Sequence, residues 1–162
     1  MGKQAKTNAM RALENAGASY HARTWDADGA MSGVDVARHL GLDPDRVFKT
    51  LVTVGKSGEH YVFMVPVAEE LDLKKAAESV GEKWVEMVKS KELFPRPGYV
   101  HGGCSPLGMK HDYVTTIDET AMLYDTICFS GGRIGCQIET SLSALESARS
   151  MKTADLTRPK TN

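Results

Sequence analysis

Lys49 is the residue most out of place in this sequence. It lies in Phe48-Lys49-Thr50-Leu51-Val52, where every neighbour is apolar or small. A strand explains it if the ammonium occupies the outward position of the alternation. The alternative is a cation directed at an anionic or carbonyl-bearing ligand. Two glycine-rich segments, Gly102-Gly103-Cys104-Ser105-Pro106-Leu107-Gly108 and Ser130-Gly131-Gly132-Arg133-Ile134-Gly135, each carry a serine. Turns that need positive φ account for any one glycine pair. Two such loops in one small domain point to a shared pocket lined by backbone N–H groups. Neither is a nucleotide-phosphate loop. Met109 follows Gly103 to Gly108 where Lys is required, Pro106 removes an amide, and Gly131 to Gly135 lacks the G-x-G opening.

Other chemistries find less support. His101-x-x-Cys104 has ligand-like spacing, with His111, Cys128 and Cys136 as conceivable partners. Structural zinc sites normally show two short-spaced pairs, and the H-x-E with P-C-x-x-C pattern of zinc deaminases is absent. No metal and no cofactor are therefore expected, and Cys128 and Cys136 read as small core residues. His21, His39 and His60 read as ordinary surface or strand-edge histidines. Ser105 lies outside any G-x-S-x-G elbow, and no His-Asp pair is placed to activate it. Cys104 is either a nucleophile or, more simply, a neutral loop thiol. Glu69, Glu70 and Glu78 lie near Lys74 and Lys75, the pattern of a solvated helix face.

The elements that must position these residues follow from local signals. Thr7 to Ala16 reads as a helix stopped by Gly17, and Ser19 to Trp25 as a strand. Ser32-Gly33-Val34-Asp35 opens a second helix that closes at Leu40-Gly41. Phe48 to Val54 and Tyr61 to Val67 form a hairpin across Gly55-Lys56-Ser57-Gly58. Asp72 caps a helix running to Val80, and Trp84 to Val88 is a short strand. Pro95 to Gly108 is mostly loop. Val114 to Ile117, Ile127 to Ser130 and Cys136 to Glu139 are further strands, and Ser141 to Arg149 is a final helix. The expected organisation is one α/β domain over residues 1–152, with a mixed, largely antiparallel sheet and surrounding helices. Residues 153–162 are expected to be a polar, frayed tail. Strands and helices alternate too irregularly for a doubly wound sheet.

Composition closes off whole classes. The 162 residues are 41% hydrophobic and 25% charged, which suits one soluble domain with a substantial core. Twenty basic against twenty-one acidic residues leave a net charge of -1. Bulk-charge coating of nucleic acid is thereby excluded, and any such contact must be local. Met1 to Lys6 does not read as a signal peptide, and Lys6 stands where a myristoylation signal wants Ser or Thr. The apolar runs are too short to span a bilayer. Three scattered cysteines fit a reducing compartment, and a cytoplasmic location with no membrane partner is expected.

Four motifs in order carry a specific resemblance. They are Phe48-Lys49-Thr50-Leu51, then Pro66-Val67-Ala68 with Leu71-Asp72-Leu73-Lys74-Lys75, then the segment from Gly102 to Gly108, then that from Ser130 to Gly135. Together they resemble the YbaK/EbsC family of Cys-tRNA(Pro) deacylases, relatives of the editing domain inserted in some prolyl-tRNA synthetases. The resemblance implies the YbaK/aminoacyl-tRNA synthetase-associated fold, an α/β domain around a mixed, barrel-like sheet. It implies trans-editing, the removal of cysteine from Cys-tRNA(Pro) and from Cys-tRNA(Cys), with a transient prolyl-tRNA synthetase complex. Lys49 would be the essential lysine, and Thr50, Gly102, Gly103, Ser105, Ser130 and Gly131 would line the pocket. Trp25 and the stretch Ala30 to Gly33 would form a variable wall.

The implied chemistry is substrate-assisted: the bound cysteine's thiol attacks its own ester, Lys49 orients the substrate, and amides around Gly102-Gly103 and Ser130-Gly131 supply oxyanion donors. Lys74, Lys75, Lys110 and Arg133 would either guide tRNA phosphates or be solvated surface. Two positions depart from the family pattern: Cys104 replaces an apolar residue, and Gln137 stands where Asp is frequent. The rival readings are a deacylase for another small aminoacyl group, such as Ala-tRNA(Pro), and a non-catalytic module that binds aminoacyl-tRNA ends or a nucleotide.

Overall fold

The computed structural model describes residues 5–26, 31–88, 104–109 and 111–160. Helix α1 (Asn8–Asn15) is capped by Thr7, and strand β1 is His21–Thr24. Helix α2 (Gly33–Leu40) starts at Ser32, whose hydroxyl accepts from the Asp35 amide, and ends at the left-handed Gly41. The hairpin is β2 (Val47–Gly55) with β3 (His60–Pro66). Strand β4 (Glu69–Leu71) leads to α3 (Leu73–Val80), whose first-turn amides donate to the Asp72 carboxylate. Then come β5 (Val85–Met87), β6 (Val114–Asp118), a 3-10 turn (Glu119–Leu123), β7 (Ile127–Ser130), β8 (Cys136–Thr140) and α4 (Leu142–Ala148). The last elements are β9 (Lys152–Ala154) and β10 (Thr157–Pro159). Each helix begins on a side-chain cap that supplies an acceptor for otherwise orphaned amides, so the helical expectations hold to within a residue or two.

Eight strands form one mixed sheet in the order β1-β8-β7-β2-β3-β6-β9, with β5 also on β2. Pairing is antiparallel for β1–β8, β7–β8, β2–β3 and β2–β5, and parallel for β2–β7, β3–β6 and β6–β9. A separate two-stranded ribbon joins β4 to β10.

Both faces are covered. On one, α1 and α4 bury Ala9, Met10, Leu13 and Leu145 against Phe48, Met64, Ile117, Phe129 and Ile138. On the other, α2 packs Val34 and Ala37 on Val47, Val67 and Cys128, and α3 packs Ala76 and Ala77 on Phe63 and Val65. Gly33 makes the α2 contact feasible, because a Cβ there would lie 2.3 Å from Val67 Cγ1.

The C-terminal segment corrects the expectation of a frayed tail. Strand β9 extends the sheet beside β6, and β10 pairs with β4 in the register Arg158↔Glu70. Leu156 between them is 0% exposed in the α3 core. The Asp118 carboxylate accepts the Leu156 amide at 2.9 Å, and Lys75 Nζ reaches Asp155 and the Thr157 carbonyl. The stretch is polar because most of its side chains face solvent; its backbone and one leucine do the anchoring.

Candidate functional site

Strand β2 changes neighbours along its length. On one side β7 pairs it at Val47↔Cys128 and Phe48↔Phe129, and β5 pairs it only from Thr53 to Gly55. Between those partners, on that side of β2, no described strand flanks Lys49, Thr50 or Leu51, which pair with β3 on the other side. Alternation turns Lys49 to the α2/α3 face, in line with Val47 and Leu51 and opposite Val65. The parallel register carried one residue past Phe48↔Phe129 sets Ser130 beside Lys49. Ser130 faces Gln137 on β8, and Gln137 faces Arg23 on β1. Lys49, Ser130, Gln137 and Arg23 thus form one polar row across four strands, on the face that also buries Val47, Val67 and Cys128 under α2.

Helix α2 lies over this face, its Gly33 end against Val67 and its His39 end against Trp25, with ring centroids 5.8 Å apart. Trp25 continues β1 through its amide to the Gly135 carbonyl, two residues beyond Arg23 and so on the same face.

Lys49 is half-buried and makes no ion pair or hydrogen bond among the described residues. Burial pushes its pKa below the ordinary lysine value, nearby Lys160 adds to that, and Glu70 partly opposes it. An unneutralised, partly desolvated ammonium is a strong electrostatic partner for a developing negative charge.

The other end of the row is held by Glu139. Its carboxylate takes Arg46 Nη2 at 2.7 Å and the Thr126 hydroxyl at 2.5 Å, and lies 2.6 Å from Arg23 Nη1. The Thr126 hydrogen bond, then the two guanidiniums, overcome burial and hold Glu139 down at about 2. Arg23 Nη1 is close to Glu139 in distance but lacks hydrogen-bond alignment, and it is buried without another partner. Trp25 Nε1 and Gln137 Oε1 are likewise buried with no partner among the described residues.

The expected pocket residues divide. Lys49 and Ser130 come together. Thr50 turns to the opposite face, its hydroxyl buried without a described partner. The loop bearing Ser105 packs on that opposite face too, with Leu107 in the main core and Cys104 against the Val52 cluster. The Ser105 hydroxyl accepts the Leu107 amide at 3.3 Å. Gly102 and Gly103, with His101, Ala30 and Lys110, lie outside the described residues.

Gly131 is buried in close contact with β8: its amide donates to the Cys136 carbonyl at 2.9 Å, and a Cβ there would sit 2.3 Å from Cys136 Sγ. That N–H, expected as an oxyanion donor, is committed to the β7–β8 turn. The Gly132 amide donates to the Ser130 hydroxyl at 3.2 Å. Burial pushes the Cys104 and Cys128 thiols up to about 11 each, the wrong direction for a nucleophile. Lys75 serves the C-terminal strands, and Arg133 donates to the Ala5 carbonyl. Among the described residues no group of three or more His, Cys, Asp and Glu side chains could hold a metal, and no helix is long and apolar enough to cross a membrane. Sequence reasoning did not single out Arg23. The period-two set His21, Arg23, Trp25, polar or aromatic on one side of a strand, was its only local sign.

The chain is similar in sequence and in fold to known proteins. An Enterococcus faecalis protein provisionally named the Cys-tRNA(Pro)/Cys-tRNA(Cys) deacylase EbsC is 42% identical over 156 residues, 95% of this chain and 94% of the relative. A proline–tRNA ligase of Pelobacter propionicus is 32% identical over 84 residues, 52% of this chain but 15% of the ligase. A solved structure described as a candidate trans-editing enzyme for prolyl-tRNA synthetase superposes with a TM-score of 0.80 at 25% identity, over 96% of this chain and 99% of that one. Residues 27–148, which hold Lys49, Ser130, Gln137 and both glycine-rich segments, match the family of aminoacyl-tRNA editing domains. The chain belongs to the aminoacyl-tRNA editing domain family.

Proposed function

We propose that this protein is a cytoplasmic trans-editing deacylase that removes cysteine from Cys-tRNA(Pro) and from Cys-tRNA(Cys). The observation that carries the reading is Lys49, a half-buried ammonium that makes no ion pair among the described residues and stands beside Ser130. Family membership and the relatives' names support the substrate class. The stretch that is 32% identical over 84 residues to a proline–tRNA ligase supports a link to prolyl-tRNA. In this reading the protein meets prolyl-tRNA synthetase, which makes the mischarged substrate, in a transient complex.

An aminoacyl ester is already activated, so positioning and electrostatics can supply much of the acceleration. The cysteine thiol adds to the ester carbonyl, and the carbonyl oxygen takes up negative charge near the Lys49 ammonium. Collapse breaks the bond to the ribose oxygen, which leaves with the thiol proton as the free 3′-terminal hydroxyl. The amino acid departs as a thiolactone that water opens to cysteine. Ser130, the Gly131 backbone and the Gly102-Gly103 segment complete the pocket in this reading, Thr50 and Ser105 back it from the opposite face of the sheet, and no resident metal or cofactor takes part.

Incubating the purified protein with Cys-tRNA(Pro), while free cysteine and its thiolactone are followed, tests the proposal. Rapid release from Cys-tRNA(Pro) with Ala-tRNA(Pro) spared is the expected result. Preferential release of alanine would move the substrate to another small aminoacyl group. Binding without turnover of either would make the protein a non-catalytic module.

A further inference from the structure

Resting on the deacylase reading, we propose that Arg23 is the residue that recognises the 5′-phosphate of the tRNA's terminal nucleotide while its acylated end sits at Lys49. Arg23 and Lys49 terminate the same polar row, separated by the strands β8 and β7. Three inter-strand spacings put their backbones about 14 Å apart. With the reach of two long side chains, that interval suits one nucleotide bearing a 3′-acyl group, with its phosphate at one end and its ester at the other.

The charge balance at the Arg23 end also calls for an anion. Arg23 and Arg46 share the single carboxylate of Glu139, so the cluster keeps one net positive charge. Arg46 and Thr126 take Glu139 Oε2 and Arg23 Nη1 lies 2.6 Å from Oε1, so both oxygens are engaged, and the partly exposed Arg23 guanidinium has no other acceptor among the described residues. A phosphate is the acceptor that the remaining N–H groups of this planar fork match best. Trp25, adjacent on the same face and half-exposed, offers an aromatic surface for the neighbouring sugar or base.

Adenosine 5′-monophosphate and adenosine, titrated separately into the wild-type protein and into Arg23→Ala and Arg23→Lys, test the assignment. Wild type is expected to bind the monophosphate about tenfold tighter than the nucleoside, the scale of one charge-assisted contact. Arg23→Ala should bind the two equally, with its affinity for adenosine unchanged. Arg23→Lys, which keeps a cation opposite Glu139 and so protects the fold, should retain part of the preference.

Turnover gives a second reading. For Arg23→Ala on Cys-tRNA(Pro), KM should rise with kcat nearly unchanged, and the slope of log KM against log salt should fall by about 0.7, one single-strand phosphate contact. A wild type that binds the monophosphate no better than adenosine, or binds neither, overturns the proposal. So does an Arg23→Ala variant that keeps the preference, or that loses adenosine equally. A preference that vanishes in Arg23→Ala in a protein that cleaves no aminoacyl-tRNA would uphold Arg23 and overturn the deacylase reading instead.

Discussion

Lys49 stands directly across the hairpin from Val65, so a charged side chain shares its row with a valine that is 0% exposed. Nothing about the packing of β2 asks for a cation at that place. Lys49→Ala is expected to lower deacylation at least about 100-fold, the usual loss when one electrostatic stabiliser of a transition state is removed. Unfolding stability should stay within about 1 kcal/mol of wild type, because no ion pair is lost. Lys49→Arg should also fail substantially, since a planar fork cannot replace a compact ammonium. Steady-state turnover with urea melts checks all three; near-normal turnover in a folded Lys49→Ala would remove Lys49 from the mechanism.

The lowered pKa of Lys49 gives a pH signature. Activity that needs the ammonium is lost as pH rises through the folded value, below the ordinary lysine range near about 10.4. The folded state binds fewer protons than the unfolded one between those values, so stability rises with pH in that window. Lys160→Glu removes a repelling charge and should move the alkaline limb of the rate profile upward. A limb that does not move in this variant would show that Lys49 does not set it.

Glu139 titrates in the opposite sense. Its folded pKa, about 2, lies below the unfolded carboxylate value, so its stabilisation is present above the unfolded value and fades as pH falls toward 2. Glu139→Gln should cost about 1–2 kcal/mol at pH 7, after allowance for solvent screening of a partly exposed group. It should also flatten the acid side of the stability curve. Urea denaturation from pH 7 down to pH 2 measures both, and an unchanged curve would show the network contributes nothing.

Cys104 should be dispensable. A thiol pushed up to about 11 by burial is neutral at physiological pH, and it packs against Val52 and Val62. Cys104→Ala is expected to keep most activity on Cys-tRNA(Pro), while Ser-tRNA, of nearly equal size, is cleaved poorly because a neutral hydroxyl is a weak nucleophile. An inactive Cys104→Ala, together with a cysteinyl adduct on the wild-type enzyme by mass spectrometry, would assign the chemistry to the enzyme's own sulfur.

Leu156 anchors the last strands. Leu156→Ala should cost about 2–5 kcal/mol, as for other fully buried leucines, and should loosen β10 from β4. Thermal unfolding with hydrogen exchange at Thr157 and Arg158 would show it; full protection there in the variant would mean that the Asp118 and Lys75 contacts suffice.

What could be read from the sequence was what is encoded locally. Thr7, Ser32, Asp72 and Ser141 each announce a helix because the cap and the amides it accepts lie within three residues. The β2–β3 hairpin announces itself by alternation on both sides of a glycine turn. Strands β4, β9 and β10 are three residues each and polar, and they exist through partners as distant as Arg158 and Glu70. No local pattern encodes that. The site shows the same division. Lys49 was visible as a cation out of place, whereas Arg23 and Gln137 join it only through cross-strand register. The Gly131 amide is taken by the Cys136 carbonyl, a bond set by the β7–β8 turn and by no local pattern.

The far-reaching pairings of the sheet also govern how the protein is born. Strand β6 binds β9, β4 binds β10, and the α3 core closes on Leu156. A ribosome must therefore deliver residues 152–160 before Phe63, Val65 and Leu71 are sealed from water. Until then the nascent chain carries an uncapped strand edge and an exposed apolar seam, the features that invite association with neighbouring chains. Its distant parallel contacts also make closure slow, since long loops must be ordered before they are rewarded. A chain truncated before β9 would therefore be a candidate for chaperone capture and aggregation, whatever the integrity of the row that holds Lys49.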